Sequence, residues 1–119
     1  MARIVIADDA LFMRASIKKI LTEGGHEVVA EAGNGQQAVT AYSSNKPDLV
    51  LMDITMPEMD GLAALHEIMS ADDAARVVMC SALGQENKVR EALELGAKDF
   101  VVKPFQPAKL LDAVRRALP

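Results

Sequence analysis

VLMDITMPEMDG, residues 50–61, carries an apolar run that begins at Leu49 and ends at Met52 into a carboxylate, Asp53, and then into Pro57 and Gly61. A short run of this kind, bounded by turn formers, reads as a strand buried on both faces. Burying or half-burying a carboxylate at its end costs free energy unless something compensates it. Asp53 therefore asks for a role that stability alone does not supply.

Working outward, the sequence holds five runs rich in Val and Ile: RIVIA (3–7), EVVAEA (27–32), DLVLM (48–52), RVVMC (76–80) and DFVVK (99–103). They are mostly apolar on both faces, as strands covered by helices on both sides should be. Stretches with helical spacing separate them. The first spans about Ala10 to Glu23, with Ile17, Ile20, Leu21 and Phe12 or Met13 facing inward, and Gly24-Gly25 stops it. The next three span about Gln36 to Ser44, Leu62 to Ser70, and Gln85 to Leu95, the last closed by Gly96. A fifth begins at Pro107, runs to Leu118 and buries Leu110, Leu111 and Val114. Strict strand–helix alternation with short loops predicts one α/β domain over 1–119, a five-stranded parallel sheet with right-handed crossovers.

The 119 residues suffice for a single core, and half of them are hydrophobic. A net charge of −4 argues against nucleic acid as a direct partner, because phosphate binding rests on Lys and Arg patches. Arg115 and Arg116 are explained by the favourable interaction of cations with a helix end. The lone cysteine, Cys80, reads as a buried, inert thiol in a reducing compartment. No apolar run approaches a membrane span, and the opening ARIVIA is too short for a signal segment, so a cytoplasmic protein is expected. The methionines at 52, 56, 59, 69 and 79 read as core and loop filler, and His26 and His66 as solvated.

In an open parallel sheet, function gathers beyond the carboxyl ends of the strands. The first strand ends in Asp8-Asp9, the third in Asp53, the fourth in Ser81 and the fifth in Lys103. Each has a bland explanation. Asp8 or Asp9 could cap the first helix, Ser81 the fourth, and Lys103 could be a solvated charge. The combination has none. Three carboxylates crowded together repel one another and call for a cation. All-oxygen ligands without a nearby His or Cys favour Mg²⁺, Mn²⁺ or Ca²⁺ over zinc. Such a cluster beside a lysine and a hydroxyl suits a phosphoryl group, with Asp53 as the nucleophile that forms an aspartyl phosphate.

These residues place the chain beside a known family. Over essentially its whole length it resembles the receiver domain of two-component response regulators. The resemblance rests on IVIADDALFMR (4–14), EAGNGQQAV (31–39), PDLVLMDITMPEMDG (47–61), VVMCSALG (77–84) and GAKDFVVKPFQP (96–107). DDALFMR, MDITMPEMDG, CSA and KDFVVKPFQP look most like the stand-alone CheY-type chemotaxis regulators. The resemblance implies a flavodoxin-like fold of strand order 2-1-3-4-5. It implies phosphorylation of Asp53 by a CheA-like sensor histidine kinase. Asp9, Asp53 and the Thr55 carbonyl would hold Mg²⁺, with Asp8 supporting it through water. Lys103 would pair with the phosphate, the Lys103–Pro104 peptide would be cis, Ser81 would bond the phosphoryl group, and Ala82 would leave room for it. Ser81 and Phe100 would switch together, reshaping the fourth helix, fifth strand and fifth helix toward a flagellar motor switch protein or another target. A phosphatase is a further implied partner, and the chain is expected to be a monomer that assists its own phosphorylation and dephosphorylation without turning over as an enzyme. Phe100 departs from the tyrosine of many relatives, so its switching would act through ring packing. Thr55 and Leu83 stand at positions that tune phosphoryl lifetime.

Three rivals remain. The chain could be the receiver of a longer regulator with DNA-binding or enzymatic output. A haloacid-dehalogenase-like phosphatase also combines an aspartate nucleophile with magnesium and lysine, but its motif asks for a second carboxylate where Asp53-Ile54-Thr55 has none. Gly33-x-Gly35-x-x-Ala38 mimics a dinucleotide fingerprint, yet it follows the second strand, while acids follow the first.

Overall fold

Alternation along a strand sends successive side chains to opposite faces of a sheet. The computed structural model describes Met1–Pro119 and realises that alternation on two cores. In chain order the elements are β1 (Arg3–Ala7), α1 (Leu11–Glu23), β2 (Glu27–Ala32), α2 (Gly35–Asn45), β3 (Leu49–Asp53), α3 (Gly61–Ala71), β4 (Val77–Ser81), α4 (Glu86–Leu95), β5 (Asp99–Val102) and α5 (Pro107–Ala117). The strands form one parallel sheet of order β2-β1-β3-β4-β5. Ile4, Ile6, Leu49, Leu51, Val78 and Cys80 face α1 and α5, meeting Ile17, Leu21, Leu110 and Val114. Val5, Val50, Met52, Val77 and Met79 face the other way, against Tyr42, Leu65, Ile68 and Val89. The expected five-stranded α/β architecture is the one observed.

Several details differ from the sequence reading. β3 and β4 each begin and end one residue later than the runs 48–52 and 76–80, and Asp53 and Ser81 close them as the expected strand ends. Ladder pairing holds both: Asp53 stands beside Cys80, and Ser81 beside Val102. β5 stops at Val102, which leaves Lys103 just outside. β2 is not covered on both faces. As an edge strand it exposes Glu27 and Glu31 and only half-buries Val28, Val29 and Ala30. β5, at the other edge, is likewise partly exposed.

Phe12 does not face inward; it is 75% exposed. It lies about 140° around the helix from buried Ile17, whereas half-buried Met13 lies about 40° away. Ile20 and Leu111 are also only half-buried. His26 is half-buried rather than solvated, and its Nδ1 accepts a hydrogen bond from the Ala2 N–H at 3.1 Å. α2 and α3 each extend one residue further at both ends than expected. Asn34 and Asp60 cap them, accepting from the N–H groups of Gln37 and Ala63. α4 starts at Glu86, one residue late, and Gly96 stops it in the left-handed conformation, as expected.

Candidate functional site

The carboxyl ends of β1, β3, β4 and β5 converge, and with them the residues singled out above. Asp8, directly after β1, is buried; Asp53 and Ser81 close β3 and β4 and are buried too. Asp9 is exposed beside them. Carboxylate oxygens of Asp8, Asp9 and Asp53 all lie within 4.8 Å of one another. Lys103 reaches in from beyond β5, its Nζ 2.7 Å from Asp8 Oδ2 and 3.3 Å from Asp53 Oδ2. The Lys103–Pro104 peptide is cis, and the Lys103 N–H donates to the Ser81 carbonyl at 2.7 Å.

The bland explanations do not describe these side chains. Asp8 Oδ1 accepts from the Ala10 N–H two residues on, but Ala10 is the residue at the start of α1 and gives it no side-chain cap. Asp8 is instead divided between that turn and Lys103. Ser81 does not cap α4, whose N-terminal boundary residue is Gln85. Lys103 is an ion-pair partner and not a solvated charge.

One ammonium faces three carboxylates, so the cluster keeps an excess of negative charge. Burial pushes the Asp53 carboxyl above the usual carboxylate range; Lys103 pulls it back, and the charges of Asp8 and Asp9 add to the rise. Burial alone would lower Lys103, but its hydrogen bond to Asp8 and the charges of Asp53 and Asp8 outweigh that and raise it. Lys103 therefore stays charged. The donor set is all oxygen and over-supplied with negative charge, which fits a hard divalent cation. Cys80, beneath the site, is inert: burial pushes its thiol up to about 12.

The loop after Asp53 is shaped by two glycines at close approaches. A Cβ on Gly61 would lie 2.0 Å from the Asp53 carbonyl oxygen, and the Gly61 N–H donates to the Ile54 carbonyl at 2.7 Å. A Cβ on Gly35 would lie 2.3 Å from the Met59 carbonyl oxygen, which accepts the Gly35 N–H at 2.8 Å. Asn34 Nδ2 donates to Glu58 Oε2 at 2.7 Å across the same junction. Thr55 is exposed in this loop, and Phe100 is 38% exposed on the outer face of β5. Ala82 is exposed next to Ser81.

Two participants escaped the sequence reading. Arg14 Nη1 donates to the Asp8 carbonyl at 2.6 Å, while Arg14 Nε pairs with Glu31 at 3.3 Å. Gln85 bridges Ala82 and Thr55. Arg14 lies inside the quoted stretch IVIADDALFMR, which gives it a signal. Gln85 has none, because its Thr55 partner is 30 residues away and nothing local marks a glutamine at a helix start as a bridge.

The sequence profile of the response regulator receiver domain matches residues 4–115. The chain belongs to that family. A curated relative, the chemotaxis protein CheY of Bacillus subtilis, is 59% identical to this receiver domain over 116 residues, spanning 98% of this chain and 97% of the relative. The chemotaxis protein CheY of Listeria monocytogenes is 55% identical, with 98% of both chains covered. Among solved structures, the CheX–CheY–BeF3–Mg²⁺ complex of Borrelia burgdorferi contains a chain that superposes with a TM-score of 0.90 at 42% identity, covering 94% of this receiver domain and 85% of that chain. No helix of this receiver domain is long and apolar enough to cross a membrane.

Proposed function

We propose that this receiver domain is a chemotaxis response regulator that accepts a phosphoryl group on Asp53 from a sensor histidine kinase. The observation that carries the reading is the charge imbalance at Asp53: two further carboxylates within 4.8 Å and a single ammonium bridging Asp8 and Asp53. The chemotaxis relatives, matched over nearly their full length, support the same pathway class.

Asp53 is the nucleophile. A carboxylate oxygen attacks phosphorus, the new P–O bond forms as the P–N bond of a phosphohistidine breaks, and the electron pair leaves with the imidazole. Burial makes this carboxylate more basic than an exposed one and keeps it close to Lys103. Asp9, Asp53 and the Thr55 carbonyl would hold Mg²⁺, with Asp8 behind them; the ion supplies charge neutralisation for phosphoryl oxygens. Lys103 turns from Asp53 to a phosphoryl oxygen, and Ser81 donates its hydroxyl to another. Water later hydrolyses the mixed anhydride, so the chain is a signalling protein and not a turnover enzyme. Phe100, now partly outward, is the side chain that repacks when Ser81 is drawn toward the phosphoryl group, and α4, β5 and α5 form the face presented to a motor switch protein.

Intact mass after treatment with a small phosphodonor and Mg²⁺ tests the assignment. The wild type gains one phosphoryl group, and chelation of the metal prevents it; Asp53→Asn gains none. Full labelling of Asp53→Asn would sink the assignment. Binding of the labelled and unlabelled protein to an N-terminal peptide of the flagellar motor switch protein tests the output: equal binding would place the output elsewhere.

A further inference from the structure

The loops that follow β3 and β4 are tied together by one side chain. Gln85 Oε1 accepts from the Ala82 N–H at 2.6 Å, and Gln85 Nε2 donates to Thr55 Oγ1 at 2.9 Å. Ala82 comes directly after Ser81, and Thr55 two residues after Asp53, while Asp53 pairs with Cys80 in the ladder. The bridge thus joins the two strand ends that border the candidate phosphoacceptor. Gln85 also occupies the boundary position of α4, where a side chain ordinarily accepts from the first-turn amides. Its side chain makes no such cap. Both ends of the amide are committed to the bridge instead.

We propose that Gln85 is a latch that holds the unphosphorylated site closed and couples occupancy of Asp53 to the start of α4. The proposal rests on Asp53 being the phosphoacceptor. A phosphoryl group there brings charged oxygens to the end of β4. Hydrogen bonds to charged acceptors are roughly twice as strong as those between neutral groups, so a phosphoryl oxygen outcompetes a neutral amide oxygen for the Ala82 N–H. Once that proton is redirected, Gln85 keeps only its bond to Thr55. A side chain held at one point no longer fixes the two loops to each other, and the first turn of α4 is released with it. α4 lines a groove with Leu83, Val89, Leu93 and Phe100, so the release reaches that face directly. Gln85 is a positioning residue in this account: it touches neither the phosphoryl group nor the nucleophile.

The test uses the full chain and beryllofluoride with Mg²⁺ as a non-covalent phosphoryl probe. Labelling of the wild type at Asp53 is established first by intact mass. Gln85→Met keeps the length of the side chain and removes both hydrogen bonds; Gln85→Ala guards against new packing by the methionine. Without the latch to displace, both variants bind beryllofluoride about three- to tenfold more tightly than wild type, the equivalent of one net hydrogen bond. Amide exchange supplies a readout that a merely structural role would not move. The Ala82 N–H exchanges faster in the unliganded variants than in the wild type, and beryllofluoride restores its protection in all three. Unchanged or weaker binding, or equal Ala82 protection in folded Gln85→Met, overturns the latch while the wild type still labels. A wild type that neither labels nor binds the probe overturns the phosphoreceiver reading first, and the latch with it.

Discussion

The two ends of the sheet draw on the same residue types and arrange them differently. At the amino ends of the strands several polar groups are matched one to one. Asp48 Oδ2 accepts the Arg3 N–H at 2.8 Å, and Arg3 Nη1 donates to the Lys46 carbonyl at 3.1 Å. The Tyr42 hydroxyl donates to Asp72 at 2.6 Å, and Arg76 Nη1 to the Ala117 carbonyl at 3.1 Å. At the carboxyl ends, Asp8 and Asp53 are buried and share one ammonium, with Asp9 adjacent. Matched pairing ties loops together. The mismatch at the other end costs stability and leaves a site with unmet demand for positive charge. That demand lets a cation and a phosphoryl group change the energy of the molecule.

Substitutions at each end can break or sharpen this contrast. Lys103→Met carries the largest expected effect. It leaves Asp8 and Asp53 without their counter-charge, and the loss of one partner from a buried pair costs about 3 kcal/mol. Urea unfolding without divalent metal measures it, and a variant as stable as wild type would show that Lys103 offsets nothing. Gly61→Ala comes next, because its Cβ would sit 2.0 Å from the Asp53 carbonyl oxygen. Backbone must shift, at about 2 kcal/mol of stability, and the shift moves Asp53, so labelling by a small phosphodonor slows as well. Normal labelling with lowered stability would separate the loop's structural role from its chemical one.

Tyr42→Phe probes the amino end and has a smaller effect. Burial and the bond to Asp72 hold the Tyr42 hydroxyl at about 12, so the donor stays protonated through the physiological range. Its removal lowers the melting temperature by less than Gly61→Ala does and leaves labelling untouched. Slower labelling in this variant would deny that the two ends act separately. The smallest effect has the opposite sign. Burial raises the Asp53 carboxyl above its ordinary 3.8, so its ionised form destabilises the fold at neutral pH. Asp53→Asn therefore melts above the wild type at pH 7 in chelator. The gap narrows as pH falls through the folded-state value and closes below about 3.8, where both states are protonated. Added Mg²⁺ stabilises the wild type more than the variant. A variant less stable than wild type at pH 7 in chelator would mean that the bond to Lys103 outweighs the burial.

The quoted stretches already hold most of this contrast. Alternating Val and Ile runs separated by helical spacing fix an α/β sheet because burial on two faces demands that pattern. Asp8, Asp9, Asp53, Ser81 and Lys103 are legible because parallel strands deliver their carboxyl ends to one rim. The misplaced details are those that depend on neighbours absent from a local window. Phe12 carries the same hydrophobicity as Met13, and only the direction of α1 over the sheet separates exposed from half-buried. β2 reads like its fellow strands, but an edge position denies it a second neighbour. Lys103 reads as the end of the fifth strand, but the β5 ladder stops at Val102.

By itself, then, the sequence determined which side chains reach the rim and what chemistry they can perform, because residue type and the alternation of strands with helices are local and periodic properties. Only the tertiary structure decided how the charges are shared: that Lys103 bridges Asp8 and Asp53, that Gly61 admits the Asp53 carbonyl, and that Gln85 joins two loops instead of capping its own helix. Those contacts join residues from 3 to 95 positions apart. Most form only after the strands have packed, when distance in space no longer follows distance along the chain.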